Sequence, residues 1–203
     1  MSINQNKRNT QMLAITAMFA AIIAVLQLFV VIPPIGAAYI TLSLVPIVLG
    51  AVMYGPNQGA FLGFVLGACV VYQVLYTPDP FSALMYQQSP VLTVALCLFK
   101  TTVAVYVIGW VYKLLSKKGK TLAVFVAGAL CPIINTGIYL CGVTLFYGEI
   151  LNNAATDSGA ASVFMFIFSG VILTNFIPEL IINMVLSPVI IRVSDITAKI
   201  IKR

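Results

Sequence analysis

The 203-residue sequence contains no histidine, and only 8% of its residues are charged. The first absence removes Ser-His and Cys-His nucleophilic pairs and most metal chemistry. The second excludes a globular domain with a water-solvated surface, in which roughly 25% of residues carry charge. No GxxxxGK[ST] run occurs, so the chain cannot itself hydrolyse ATP. A carboxylate-rich relay and a pair of inverted six-helix halves are also missing, which counts against a proton-driven carrier. The four cysteines (Cys69, Cys97, Cys131 and Cys141) lie in apolar stretches without CxxC spacing. They read as small hydrophobic residues, giving neither a disulfide framework nor a zinc site. With no nucleophile–base pair and no ligand cluster, the chain is expected to be no enzyme and to hold no cofactor or metal.

What is present is apolar: 61% of residues are hydrophobic. Each membrane crossing takes about 20 residues, so six crossings with short connections use the whole chain. The expected fold is therefore an all-α integral membrane protein, a single domain over 1–203 built as one bundle of six transmembrane helices. Their bounds are about 11–31, 39–54, 58–76, 91–115, 121–146 and 161–192. The apolar run after the polar N-terminus is long enough to span and lacks a clear cleavage site, so it reads as the first helix rather than a signal peptide.

A net charge of +6 raises the question of nucleic acid, but the cations sit at helix ends: Lys7 and Arg8, Lys113 to Lys120, Arg192 to Arg203. That distribution follows the positive-inside rule and offers no basic face for phosphates, so no nucleic acid is expected. Six crossings put both termini and the Lys117-Lys118-Lys120 connection in the cytoplasm. The outer connections, about 32–38, 77–90 and 148–160, then carry Asp79, Glu149 and Asp157 and no Lys or Arg. Five or seven crossings would put a basic end outside.

Gly55, Gly59, Gly63 and Gly67 recur every fourth residue along the third predicted helix, a small-xxx-small row that lets another backbone approach. Ala17-xxx-Ala21 and Ala20-xxx-Ala24 give the first helix a similar face, with Ala14 above it. Two uses are open to that face: packing within the bundle, or docking on a second membrane protein.

Two ionisable residues fall well inside predicted helices, Lys100 and Glu179. A charge near the bilayer centre costs about 2.5–3.5 kcal/mol on insertion scales, so such residues face the bundle interior or a wet cavity. Asn135 and Tyr139 reach a similar depth, and Asn175 stands one turn from Glu179 on one face. Pro178 frees a backbone carbonyl near Asn175. One reading is a structural Lys100–Glu179 ion pair with asparagines joining helices. The other is an outward-opening cavity, with Lys100 as counter-charge to an anionic ligand and the amides as its hydrogen-bond partners. The outer segments suit lids: Ile35 and Tyr39 flank one, and Phe81, Tyr86 and Gln87 belong to another. A binding cavity without an energy source implies a partner that supplies one.

The run from Leu44 to Gly67 carries Pro46, Gly50, Gly55, Pro56, Gly59, Gly63 and Gly67. This P-x-x-x-G-x-x-x-x-G-P-x-x-G-x-x-x-G-x-x-x-G spacing resembles the substrate-specific S components of energy-coupling factor (ECF) transporters. The resemblance covers nearly the whole chain and includes the size, six helices and the alanine motifs of helix 1. It implies uptake of a water-soluble vitamin across the cell membrane with three partners, a transmembrane coupling protein and two cytoplasmic ATPases that use ATP. It also implies that Ala17, Ala20, Ala21 and Ala24 dock on the coupling protein. The Phe81-Ser-Ala-Leu segment, Lys100 and the Asn135 region look most similar to the pantothenate-type branch. Pantothenate offers one carboxylate for Lys100 and an amide and hydroxyls for Asn135, Asn175 and Glu179. Riboflavin, folate, a queuosine-type precursor, and an autonomous small carrier are the alternatives.

Overall fold

A computed structural model describes the backbone of residues 2–30 and 42–201 and the side chains of 10–30 and 42–196. Among the described residues all regular structure is helical. The helices are α1 (Ser2–Phe29), α2 (Leu44–Tyr54), α3 (Pro56–Tyr76), α4 (Pro80–Gln88), α5 (Pro90–Leu115), α6 (Lys120–Phe146), α7 (Gly148–Asp157), α8 (Val163–Ile167) and α9 (Ile177–Ile201). A π-helical segment, Phe168–Phe176, joins α8 to α9. Five stretches are long and apolar enough to cross a membrane: Thr10–Phe29, Pro56–Tyr76, Pro90–Leu115, Lys120–Phe146 and Val163–Ile196. The sixth, Leu44–Tyr54, is shorter and almost wholly buried. The protein is an all-α membrane protein, and its exposed Leu, Phe, Ile and Val side chains form the surface that meets lipid.

Packing follows a simple plan. α1 lies on α3, α3 on α5, α5 on α6, and α6 on α9, and α2 touches all five. The five long helices thus form an arc around α2. Leu44, Ile47, Val48 and Ala51 of α2 meet Ile23 of α1, Leu62 of α3, Val105 and Ile108 of α5, Val124 and Ala127 of α6 and Ile190 of α9 in the main core. One end of the bundle carries Lys113, Lys117, Lys118, Lys120 and Arg192, with Lys120 bridged to Asp195. The opposite end carries α4 and α7.

The glycine row divides by role. A Cβ on Gly63 would stand 2.7 Å from the Thr101 carbonyl oxygen, and one on Gly67 would stand 2.9 Å from the Leu98 Cα. These two, with Gly59, let α3 lie directly against its neighbours. Gly55 does otherwise. It sits in the turn before Pro56 with φ of 88°, a backbone that side chains rarely adopt, and nothing lies near its α-carbon's open side.

Several predicted bounds change. α1 begins at Ser2 rather than near 11, although its membrane-length part starts at Thr10. α2 begins at Leu44 rather than 39, and 39–41 lie outside the described residues, as does the predicted connection 32–38. The two outer connections expected as loops are largely helical. Asp79 caps α4 by accepting from the Ser82 N–H at 2.9 Å, and Pro80 fits the first turn, where no N–H is required. α7 packs on α4 and α6 and buries Leu151 and Ala155. The predicted sixth helix changes hydrogen-bond register through the π segment before Pro178, which has no N–H to give its preceding turn, and continues to Ile201 instead of 192.

Candidate functional site: a polar cavity above the central helix

α2 fills the arc only toward the basic end. Leu44, its first residue, lies at the floor of a cavity of about 120 Å³ that opens toward the α4 end. That is roughly ten times the space one buried water requires, so it is more than a packing defect. α1, α3, α4, α5, α6, the π segment and α9 all contribute lining residues.

All five side chains expected to bind a ligand line this one cavity: Lys100, Asn135, Tyr139, Asn175 and Glu179. Close contacts of the glycines fix their relative heights. Gly67 meets the backbone of Cys97 and Leu98, and Gly142 meets Leu96, which brings Lys100 level with Tyr139. The Lys100 ammonium accordingly stands 4.4 Å from the centre of the Tyr139 ring, whose electron-rich face stabilises a cation. The Tyr139 hydroxyl in turn donates to Met85 Sδ of α4 at 3.8 Å. Gly128 meets Asn183 and Ser187, which brings Glu179 to the height of Asn135, about one turn deeper. Glu179 is only 3% exposed. Asn135 is a lining residue, and its side-chain oxygen is buried with no hydrogen-bond partner.

Beneath this level the polar face of α9 continues. Asn183 donates to the Glu179 carbonyl at 2.8 Å, and Ser187 donates to the Asn183 carbonyl at 2.8 Å, both fully buried. Toward the open end, Tyr147 is buried against Met85, Val143 and Leu151. Its hydroxyl meets the Thr93 hydroxyl at 2.8 Å and donates to the Ser89 carbonyl at 3.2 Å, fastening the α4–α5 junction to the α6–α7 junction.

The lid residues separate. Ile35 and Tyr39 lie outside the described residues. Phe81 packs on Phe166, their rings 6.3 Å apart, and Tyr86 and Gln87 are not among the lining side chains. α4 reaches the cavity through Ser82 and Met85, with Asp79 just before it. Ala17 and Ala21 face out of the bundle among exposed Leu13, Met18, Ile22 and Val25, whereas Ala20 and Ala24 are half-buried. The inner stripe of α1 is Thr16, Phe19, Ile23 and Gln27.

Three polar residues of the cavity wall region were missed by the sequence reading. Gln27 of α1 donates through Nε2 to Gln73 Oε1 at 2.7 Å, and Gln73 Nε2 donates back to the Gln27 backbone carbonyl at 2.8 Å. Ser43, just before α2, donates to Gln27 Oε1 at 3.0 Å. The signal was available: each glutamine stands inside an apolar run.

A membrane bundle whose cavity is lined by Lys100, Asp79, Glu179 and several carboxamides has the form of a site for a small polar solute. The comparisons agree. Residues 11–191 match the family model for the ECF transporter substrate-specific component, and the chain belongs to that family. It is a transporter's binding component and not an enzyme. Members of the family work with a coupling protein and two ATPases. The chain is also 28% identical over 191 residues, 88% of its own length and 90% of the relative's, to the pantothenic acid transporter PanT of Lactococcus lactis subsp. cremoris.

Proposed function

We propose that this chain captures pantothenate from outside the cell and delivers it with a transmembrane coupling protein and two cytoplasmic ATPases. It needs no cofactor of its own, and its partners use ATP. The observation that carries the reading is one cation, Lys100, set among carboxamides in a cavity inside the membrane bundle. An anion matches Lys100, and donors such as hydroxyls and an amide N–H match the deeper acceptors, Asn135 Oδ1 and the Glu179 carboxylate. Pantothenate carries all of these on one short chain, and its gem-dimethyl group suits Leu66, Val70 and Val74 on the α3 wall. The name of the Lactococcus relative supports the same vitamin. The charge map supports cytoplasmic termini, with α4 and α7 outside.

The outward face of α1 is the docking surface for the coupling protein. Ala17 and Ala21 present almost no side-chain bulk there, so a partner helix can approach closely.

Native mass spectrometry of the protein, purified from cells grown with pantothenate, tests the vitamin. A complex heavier by one pantothenate is expected, and it should vanish on competition with excess labelled pantothenate. A different retained mass, or none together with no heat on titration, would overturn the assignment.

A further inference from the structure

α1 stands at one end of the arc of long helices. It packs on α3 and α2, and among the described residues it makes no contact with α5, α6 or α9. Its inner stripe ends, toward the open side, at Gln27. The carbonyl of Gln27 is one of the last four of the helix, which have no partner within it. Gln73 supplies that partner from α3 and at the same time accepts from the Gln27 side chain. The two amides thus close a ring between α1 and α3, and Ser43 ties the ring to the start of α2. Both glutamines line the cavity that holds Lys100. A carboxamide nitrogen carries two N–H donors, and the ring uses one of each residue's pair.

We propose that the Gln27–Gln73 pair is a second recognition point of the cavity, donating to an acceptor of the ligand nearer the open end than Lys100, and that it carries occupancy to α1. The proposal rests on the cavity being the ligand site and α1 the docking helix. The amide N–H groups that the ring leaves over are the donors for that acceptor. The ring is then held in its closed arrangement when ligand is bound, whereas in the empty cavity water competes for the same donors. Ligand therefore favours the position of α1 that presents Ala17 and Ala21. Coupling of this kind is reciprocal: whatever factor the ligand adds to closure of the ring, the closed ring adds to ligand affinity.

The test is hydrogen–deuterium exchange of α1 and calorimetric titration with pantothenate on wild type, Gln73→Met and Ser43→Ala. Gln73→Met keeps length and apolarity while removing both amide links, and Ser43→Ala removes one link with little risk to folding. Without ligand, exchange at residues 24–30 should rise about tenfold in Gln73→Met and by less in Ser43→Ala, because that helix end loses its ties. With pantothenate, wild type should gain protection there, and Gln73→Met should lose both that protection and about tenfold in affinity. Unchanged ligand-free exchange in a folded Gln73→Met protein overturns the proposal whether or not pantothenate binds. So does full affinity with full protection. If wild type binds no pantothenate, the vitamin assignment fails, and the ligand-free comparison still decides the role of the ring in holding α1.

Discussion

Replacing Lys100 by Met separates the two uses this half-buried cation can have. Met keeps the unbranched stem and removes the charge. Losing one member of a buried charge pair costs about 2–5 kcal/mol, mostly because the other charge is left without a partner. Lys100 is half-buried rather than sealed, and water in the cavity screens part of the loss, so the lower end applies, about 2–3 kcal/mol. At 1.4 kcal/mol per tenfold, pantothenate affinity should fall by about 30- to 140-fold. Pantothenol, which has a hydroxymethyl group in place of the carboxylate, should bind wild type and Lys100→Met within about threefold of each other. The Tyr139 contact at 4.4 Å adds about 0.5–2 kcal/mol to holding the cation in place, so a small drop in the melting temperature of ligand-free protein accompanies the change. Isothermal titration of both proteins with both ligands is the assay. If Lys100 instead serves Glu179, the mutation mainly lowers folded yield, and adding Glu179→Gln restores it. Pantothenate affinity within twofold of wild type in a well-folded Lys100→Met protein would refute the counter-charge argument.

Trp at Ala17 and Ala21 should abolish vitamin uptake in cells while changing pantothenate affinity less than threefold, since both positions face out of the bundle; surviving uptake would move the docking face elsewhere. Gly63→Ala forces a methyl to 2.7 Å from the Thr101 carbonyl and should destabilise by about 1–3 kcal/mol, read as a lower melting temperature in detergent. Gly137→Ala, with nothing within 4 Å of the new methyl and helical backbone on both sides, should be neutral or stabilise by up to about 1 kcal/mol. Asn135→Leu removes a buried acceptor that has no partner, so the ligand-free protein should melt at the same temperature or higher, yet the upward shift on adding pantothenate should shrink by at least half. A lower ligand-free melting temperature with a normal shift would make Asn135 a structural residue.

The long helices were legible because a bilayer leaves a signature of length and apolarity that needs no knowledge of packing. The short outer helices were not, because α4 and α7 mix aromatic, amide and small residues as a loop does. The capping signal of Asp79 followed by Pro80 was present and pointed to a helix start. The π segment leaves no compositional mark at all, and only Pro178 hinted at a change in backbone register. Three glycines of the row meet a neighbouring helix, and the fourth, Gly55, serves the turn that Gly55-Pro56-Asn57 marks between the second and third predicted helices.

Charges betrayed the cavity because they are the costliest groups to place in a membrane, so Lys100 and Glu179 stood out unaided. Neutral amides cost less and are easily passed over, and the Gln27–Gln73 ring joins residues 46 apart, which only the contact of α1 with α3 explains. The outward direction of Ala17 and Ala21 likewise depends on which side of α1 meets the core, a choice that two interleaved alanine pairs leave open.

The position of the cavity follows from the length of one helix. α2 has 11 residues, about 16 Å of helix, against a hydrocarbon core of about 30 Å. Held at the basic end by the Gly55–Pro56 turn, it fills the arc of long helices for about half their height and stops at Leu44. The five surrounding helices continue, and among the described residues α2 supplies no further apolar side chain to their inner faces above Leu44. A wholly apolar lining there would leave a dry void that the bundle would collapse to fill. Lys100, Thr101, Asn135, Thr136, Tyr139, Asn175, Glu179 and Gln73 stand there beside Leu66, Val70 and Val74. A polar wall keeps the space hydrated and open, so a short central helix and a ring of polar residues above it are two parts of one device for admitting a water-soluble ligand into a membrane bundle.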